Sequence, residues 1–245
     1  MRLSRSPSDQ SPASPLSPVR EEKGEKYFCY KREIGFVFVF GTCLLELNLM
    51  DIILSKERVD AQDCDLLVTG FFKDERPLKG SSGWIDWRFN GMLSRLLIEN
   101  KLTGDWKEAT LIPSQKRILP RMILFLGLGE VRKYGPLRLR ELSPYLLDTL
   151  WKLGWSDVCL SFPYGDSYHV DSRKIIESLI EGMASDLGRQ ETLLEKRWTT
   201  RLRLFFAEGE DVFPEILSGV QTAKSIFGDR IQIRISVPSD GIFPS

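Results

Sequence analysis

Residues 121–129 read Arg-Met-Ile-Leu-Phe-Leu-Gly-Leu-Gly, and this short stretch decides the fold class. After Arg121 it is apolar throughout, which is typical of a central β-strand that is buried on both faces. Gly127 and Gly129 follow the strand and favour a tight turn out of it. We therefore expect strand Arg121–Leu126 to lie inside a sheet that is covered by helices on both sides.

On either side of this strand, short apolar runs alternate with longer segments of helical spacing. The other predicted strands are Asp51–Leu54, Leu66–Phe72, Lys107–Pro113, Asp157–Ser161, Arg201–Ala207 and Ile231–Val237. The predicted helices are Trp84–Asn100, one with Ser143 as N-cap and Pro144 in its first turn that ends at Gly154, one capped by Ser172, and Val212–Phe227. This alternation predicts a three-layer α/β domain with a mixed, mostly parallel central sheet.

The N-terminal residues differ from the rest of the chain. Residues 1–26 are rich in Ser, Pro and charge, and we expect them to be disordered because they bury too little apolar surface. Residues 27–49 are apolar without a clear period. Either residues 1–49 are a wrongly extended start ahead of Met50, or Gly35–Leu45 adds a strand at a sheet edge. We expect one domain over residues 50–245.

The composition narrows the classes of function. The 34 Lys and Arg balance the 34 Asp and Glu among 245 residues, so the net charge is zero. A neutral total argues against a polyanion as the main partner, although a local basic patch can exist within it. The single histidine, His169, cannot form a multi-histidine metal site. We expect no metal and no cofactor.

The cysteines and the hydropathy predict a soluble, cytoplasmic protein without a membrane partner. Four cysteines without a CxxC pair indicate free thiols in a reducing compartment. No stretch reaches the roughly 20 apolar residues that a membrane span needs.

Two glycine-containing loops are the candidate ligand-binding segments. The first is Gly80, Ser81 and Ser82 ahead of a predicted helix, and the second is Gly127, Leu128 and Gly129 after the central strand. Backbone N–H groups in such loops can approach an anion closely. In the second loop Arg132 stands where a GxGxxG motif needs its third glycine, which favours an ordinary turn.

Other polar groups carry weaker signals. Lys196, Arg201 and Arg203 form the most basic stretch, and a nucleic-acid surface there is less favoured than an edge strand protected by charge. His169 is interpreted as a residue of a polar surface loop rather than a general base. The acids Asp63, Asp65, Glu208, Glu210 and Asp211 are interpreted as turn and loop residues rather than metal ligands.

The segments Asp65–Gly70, Phe72–Leu78, Asn90–Leu97 and Arg121–Gly129 together resemble the N-terminal domain of leucyl (cytosol) aminopeptidases. The resemblance continues in the same order through 176–183 and 215–224 and covers roughly residues 50–227. It implies a macro-domain-like fold and a domain that contributes to oligomer contacts. It also implies that the two-metal peptidase centre, with its NTDAEGR-type signature, belongs to a separate C-terminal domain, and this sequence has no such signature.

The resemblance favours a protein that is not itself an enzyme. The leading hypothesis is a free-standing, non-catalytic interaction, assembly or regulatory module whose partner is a second copy or another protein. The alternative is a macro-like binder of ADP-ribose or another nucleotide or phosphate ligand, which rests on fold analogy. A further alternative is one half of a split metallo-aminopeptidase.

Overall fold

The computed structural model describes residues 49–187, 197–228 and 232–237, which form one seven-stranded sheet with helices on both faces. The strands are β1 Leu49–Ser55, β2 Leu66–Phe71, β3 Ala109–Pro113, β4 Met122–Gly127, β5 Asp157–Ser161, β6 Arg203–Ala207 and β7 Gln232–Ser236. The helices are α1 Gly80–Arg88, α2 Met92–Ile98, α3 Pro136–Leu153, α4 Ser172–Leu187 and α5 Phe213–Phe227. The predictions for residues 1–48 and for Lys196 lie outside the described residues.

The sheet has the strand order β3-β4-β2-β5-β6-β1-β7. Neighbouring strands run parallel except β3, which is antiparallel to β4. The predicted mixed, mostly parallel sheet is therefore confirmed. The strand β4 lies between β3 and β2, and its side chains enter the cores on both faces of the sheet, as its apolar sequence predicts.

Two hydrophobic cores, one on each face of the sheet, make the three layers. In β2, Leu66 and Val68 pack into the core under α3, α4 and α5, whereas Leu67 and Phe71 pack into the core under α1 and α2. Side chains of a strand alternate between faces, so both sets must be apolar when helices cover both sides. None of the helices in the described part of the chain is long and apolar enough to cross a membrane.

The prediction of one helix over Trp84–Asn100 was wrong, because the chain breaks between α1 and α2. Asn90 and Gly91 have φ of 54° and 71°, left-handed values that interrupt a helix. The Asp86 carboxylate then accepts the backbone N–H of Leu93 at 2.7 Å and that of Ser94 at 3.2 Å, which caps α2. Periodicity missed the break because both helices pack into the same core.

The predicted start of α3 was also wrong. The helix begins at Pro136, about two turns before Ser143. The Ser143 hydroxyl lies inside the helix and donates to the Leu139 carbonyl at 2.9 Å. Pro144 is accommodated within the helix. The predicted end is confirmed, since Gly154 closes α3 with φ of 75°.

The helix α4 begins at Ser172 as expected, but a different residue caps it. The Asp171 carboxylate accepts the Lys174 backbone N–H at 2.6 Å. The Ser172 hydroxyl instead donates to the Glu215 carboxylate on α5, so this side chain joins two helices.

Candidate functional site: a crevice at the carboxyl ends of the strands

A crevice of about 570 Å³ opens at the carboxyl ends of β1, β5 and β6. In α/β sheets such crevices form where connections leave neighbouring strands toward opposite faces. Here β2 leads into α1 on one face, and β5, its neighbour, leads into α4 on the other. The lining comes from four segments, which are Lys56–Val59, Gly80–Trp84, Phe162–Tyr164 with Tyr168, and Ala207–Asp211.

A cluster of hydroxyl and carboxyl groups lies at the base of the crevice. The hydroxyl oxygens of Ser81, at the start of α1, and Ser161, at the end of β5, are 2.5 Å apart. Burial raises the pKa of Glu208 to about 8, although hydrogen bonds from Ser161 and Tyr164 act to lower it. Most Glu208 side chains therefore carry a proton at pH 7 and can donate a hydrogen bond.

Tyr164 shares this environment. Burial is the main cause that raises its pKa to about 12, and the nearby carboxylates of Glu208 and Glu215 add to the effect. The phenol stays protonated at physiological pH. The base of the crevice thus offers neutral donors and acceptors, whereas the acids Glu210 and Asp211 belong to its outer lining.

The rim of the crevice combines a tryptophan with two cations. The Arg58 guanidinium lies 4.0 Å from the centroid of the Trp84 ring, and Lys56 lies 3.6 Å from the Glu210 carboxylate. Trp84 is fixed from below, since its indole N–H donates to the Asp60 carboxylate at 3.0 Å. Burial acts to raise the pKa of Asp60, but hydrogen bonds from Trp84 and Arg88 outweigh it and the pKa is lowered. Asp60 therefore remains an ionised anchor for the rim.

The first turn of α1 faces the same crevice. The N-cap residue, Lys79, makes no side-chain hydrogen bond to the helix start, and the first N–H groups of a helix have no partner within it. Gly80 has φ of 57°, and a Cβ there would meet no atom within 4 Å. An anion near Gly80 and Ser81 would be favoured by these amides.

The structure separates the two predicted ligand-binding loops. Gly80 and Ser81 line the crevice, and Ser82 lies buried behind them with its hydroxyl donating to the Lys79 carbonyl at 3.0 Å. The backbone N–H groups of the second loop are used within the protein: those of Gly127, Leu128 and Gly129 donate to the carbonyls of Glu108, Phe71 and Gly104. A Cβ on Gly127 would lie 2.0 Å from the Asp105 carbonyl oxygen. This loop is a site of close backbone packing.

The predicted basic residues lie away from the crevice. Arg203 begins β6, at the opposite end of that strand, and forms a two-pronged ion pair with Asp157. Arg201 is exposed in the turn before it, with its N–H donating to the Trp198 carbonyl. His169 is exposed as well.

Groups that bind metals are dispersed in the described ranges. No three His, Cys, Asp or Glu side chains of residues 49–187, 197–228 and 232–237 lie close enough together to hold a metal ion. Cys64 and Cys159 are buried free thiols.

Several residues of the crevice were missed by sequence reasoning. Glu208 was interpreted as a loop acid, and Ser161, Tyr164, Trp84 and Arg58 were not selected. One signal was available, because Ser161 ends a buried strand and Glu208 directly follows another. Polar side chains at the carboxyl ends of parallel strands are expected to meet at one edge of the sheet.

Comparisons with known proteins agree with this architecture. A "Probable cytosol aminopeptidase" of Sulfurihydrogenibium sp. (strain YO3AOP1) is 23% identical over 134 residues, which are 55% of this chain and 26% of that protein. Another from Cyanothece sp. (strain PCC 7425 / ATCC 29141) is 25% identical over 119 residues, 49% of this chain and 24% of that protein. The chain spans about a quarter of the length of these curated relatives.

The fold is also similar to that of a solved macrodomain. The Trypanosoma brucei macrodomain in complex with ADP-ribose superposes with a TM-score of 0.52 at 17% identity, over 69% of this chain and 68% of that one. The macro-domain-like fold that the resemblance implied is thus confirmed.

Residues 68–196 match the family model described as "Cytosol aminopeptidase family, N-terminal domain". The match covers slightly more than half of the 245 residues. The chain therefore belongs to the cytosol aminopeptidase family, through the N-terminal domain of that family.

Proposed function

We propose that this chain binds a nucleoside phosphate, ADP-ribose or a related molecule, in the crevice at the carboxyl ends of β1, β5 and β6, and that it acts by binding rather than by catalysis. One observation carries the proposal: the Ser81–Ser161–Glu208 cluster lies beside the open first turn of α1. This places neutral hydrogen-bonding groups next to amides that favour an anion.

The chemistry of the crevice matches the parts of such a ligand. Hydroxyl groups and a protonated carboxyl can donate to and accept from a ribose diol, and the start of α1 together with Arg58 can receive a phosphate. Trp84 holds the Arg58 guanidinium at the rim, because that group lies 4.0 Å from the centroid of its ring. A volume of about 570 Å³ lies within the range of sites for small ligands, roughly 300–1,000 Å³.

The choice of ligand has support from the fold. A macrodomain of the same fold has been solved in complex with ADP-ribose, and that is a property of that protein. We infer the same class of ligand for this chain because its crevice lies at the edge of the sheet where α/β proteins bind ligands.

Isothermal titration calorimetry of the full chain with ADP-ribose tests the proposal. We expect saturable heat at pH 7, and we expect Ser81→Ala to weaken binding about fivefold, the value of one hydrogen bond of about 1 kcal/mol. Ser225→Ala, on the exposed side of α5, is the matched control and should bind like the unaltered chain. Absence of heat at millimolar ADP-ribose would overturn the proposal.

The pH dependence of binding gives a second readout of the same site. Because the pKa of Glu208 is about 8, the carboxylate that forms above this pH should repel an anionic ligand, and affinity should fall between pH 7 and 9. Glu208→Gln cannot ionise and should show a flat profile over this range. Parallel profiles for the two proteins would contradict the assignment of Glu208 to the site.

An assembly role is the second candidate. Its support is the family match, because the matched region is one domain of relatives about four times the length of the aligned segment. In this reading the chain is a non-catalytic cytoplasmic module that associates with itself or with a separate catalytic chain. Light scattering would report self-association, and release of leucine from a leucyl-anilide by the chain alone, with manganese or zinc added, would contradict a non-catalytic role.

A further inference from the structure

A second cavity, of about 580 Å³, lies between the end of α1 and the turn that connects β3 to β4. We call it the basic cleft, since its lining includes Arg88, Lys116, Arg117 and Arg121 but only one acid, Asp60. It lies at the amino end of β4, whereas the crevice lies at the carboxyl ends of the strands. The two cavities are therefore distinct.

The acids near the cleft neutralise only part of its charge. Asp60 lies 2.9 Å from Arg88, and Asp65 lies 3.3 Å from Arg121. Within the described residues, Lys116 and Arg117 form no ion pair with an acid. An anion that enters the cleft would meet two exposed cations without displacing a protein carboxylate.

Both cations belong to the tight turn between β3 and β4. Gln115 and Lys116 have φ of 54° and 61°, and the Arg117 N–H closes the turn on the Ser114 carbonyl at 3.0 Å. The Arg117 guanidinium also donates to the Arg88 carbonyl at 3.3 Å, which ties the turn to the end of α1. The Arg117 guanidinium thus has a defined position beside that helix, and Lys116 precedes it in the same turn.

An aromatic platform adjoins the cleft. Trp87 is 65% exposed, and its ring stacks on Trp84 with centroids 5.1 Å apart and an interplanar angle of 27°. The Arg88 guanidinium lies 5.6 Å from the Trp87 centroid. The exposed face of Trp87 is thus supported from behind and flanked by positive charge.

We propose that the basic cleft and Trp87 bind single-stranded nucleic acid, with backbone phosphates on Lys116 and Arg117 and an unstacked base on Trp87. Cations that follow a phosphodiester backbone, combined with an aromatic ring for stacking, are the two parts of sequence-tolerant single-strand sites. A base in a duplex is already stacked on both faces, so the platform selects single strands. The neutral total charge does not oppose this, because the positive charge is local.

Fluorescence anisotropy of a labelled 12-nucleotide single strand, as RNA and as DNA, tests the proposal with the full chain in 50 mM salt. Lys116→Ala/Arg117→Ala should weaken binding at least tenfold and should lower the salt slope by about 1.4, since each phosphate contact on a single strand contributes about 0.7. Trp87→Ala should weaken binding at least fivefold while leaving the salt slope unchanged, because stacking releases no counterions. RNA and DNA of one sequence should bind comparably if backbone and stacking alone are recognised.

A matched control distinguishes binding at the basic cleft from a nonspecific effect of removing two positive charges. Arg132→Ala/Lys133→Ala removes an adjacent exposed pair elsewhere and should bind like the unaltered chain. The proposal is overturned if this control loses as much affinity as the cleft variant, or if duplex DNA binds as tightly as the single strand. It is overturned equally if poly-glutamate competes as well as an oligonucleotide of the same charge, or if no binding occurs at 50 µM protein.

Discussion

Glu208 directly follows the buried strand β6, and the fold places its carboxyl group beside Ser161 and Tyr164 rather than in solvent. Burial raises its pKa to about 8, so the folded protein holds a proton that the unfolded chain releases near pH 4.5. Such a shift costs stability when the group must ionise, and it gives the crevice a neutral donor at physiological pH.

The sign of the pH effect follows from linkage. Below pH 4.5 both states are protonated and Glu208 has no effect on the free energy of unfolding. Between pH 4.5 and about 8 only the unfolded state ionises, so the free energy of unfolding falls as the pH rises, and above pH 8 the loss is complete.

Glu208→Gln should therefore stabilise the protein at high pH relative to the unaltered chain. We expect the difference in melting temperature between the two proteins to grow by at least about 2–4 °C from pH 5 to pH 9, which corresponds to about 1 kcal/mol in a chain of this size. Differential scanning fluorimetry across this range measures it. A difference that is the same at every pH would show that the carboxyl group is ionised throughout.

The sequence signal at Glu208 was ambiguous for a physical reason. An acid after a strand is compatible with a solvated turn or with a buried site, and what decides is how Tyr164 and the segment around Arg58 fold over it. Ser81 was predicted as a ligand-binding residue because glycines and serines ahead of a helix are a local sequence signal. Local patterns thus identified one side of the crevice, and the other side depended on tertiary packing.

At the level of elements, strands were more predictable than helix ends. The predicted strand Asp157–Ser161 coincides with β5, because the polar residues on either side of an apolar run mark where the strand begins and ends. Helix ends depend on caps, and the Asp86 carboxylate that starts α2 lies inside α1, where the sequence gives no sign of it.

Asp86→Ala tests how strongly this cap holds the two helices together. The carboxylate accepts the Leu93 and Ser94 N–H groups and the Ser94 hydroxyl, and Asp86 is buried. We expect a loss of about 1–3 kcal/mol in the free energy of unfolding, because buried donors are left without an acceptor. Urea denaturation measures the loss.

Asp148→Ala is the control for that experiment. Asp148 is an exposed acid on α3 that pairs with Lys152, and exposed pairs contribute less than about 1 kcal/mol. Equal losses for the two variants would mean that the Asp86 hydrogen bonds do not define the α1–α2 junction.

On the scale of the whole molecule, the zero net charge conceals two chemically different surfaces. The base of the crevice at one end of the strands offers neutral hydrogen-bonding groups. The basic cleft at the other end offers Lys116 and Arg117, which form no ion pair with an acid in the described part of the chain. Composition can exclude a uniformly basic protein, but only the fold brings Arg88 together with Lys116 and Arg117. Fold class and family followed from hydrophobic pattern and glycine positions, whereas both surfaces needed the structure.

A crystal structure of the full chain grown with millimolar ADP-ribose tests most directly whether the crevice beside α1 receives a nucleoside phosphate. We predict that the ligand lies in the crevice with polar atoms within hydrogen-bonding distance of the Ser81 and Glu208 side chains. A ligand bound elsewhere on the chain, or a crevice without ligand at that concentration, would contradict the proposed binding site.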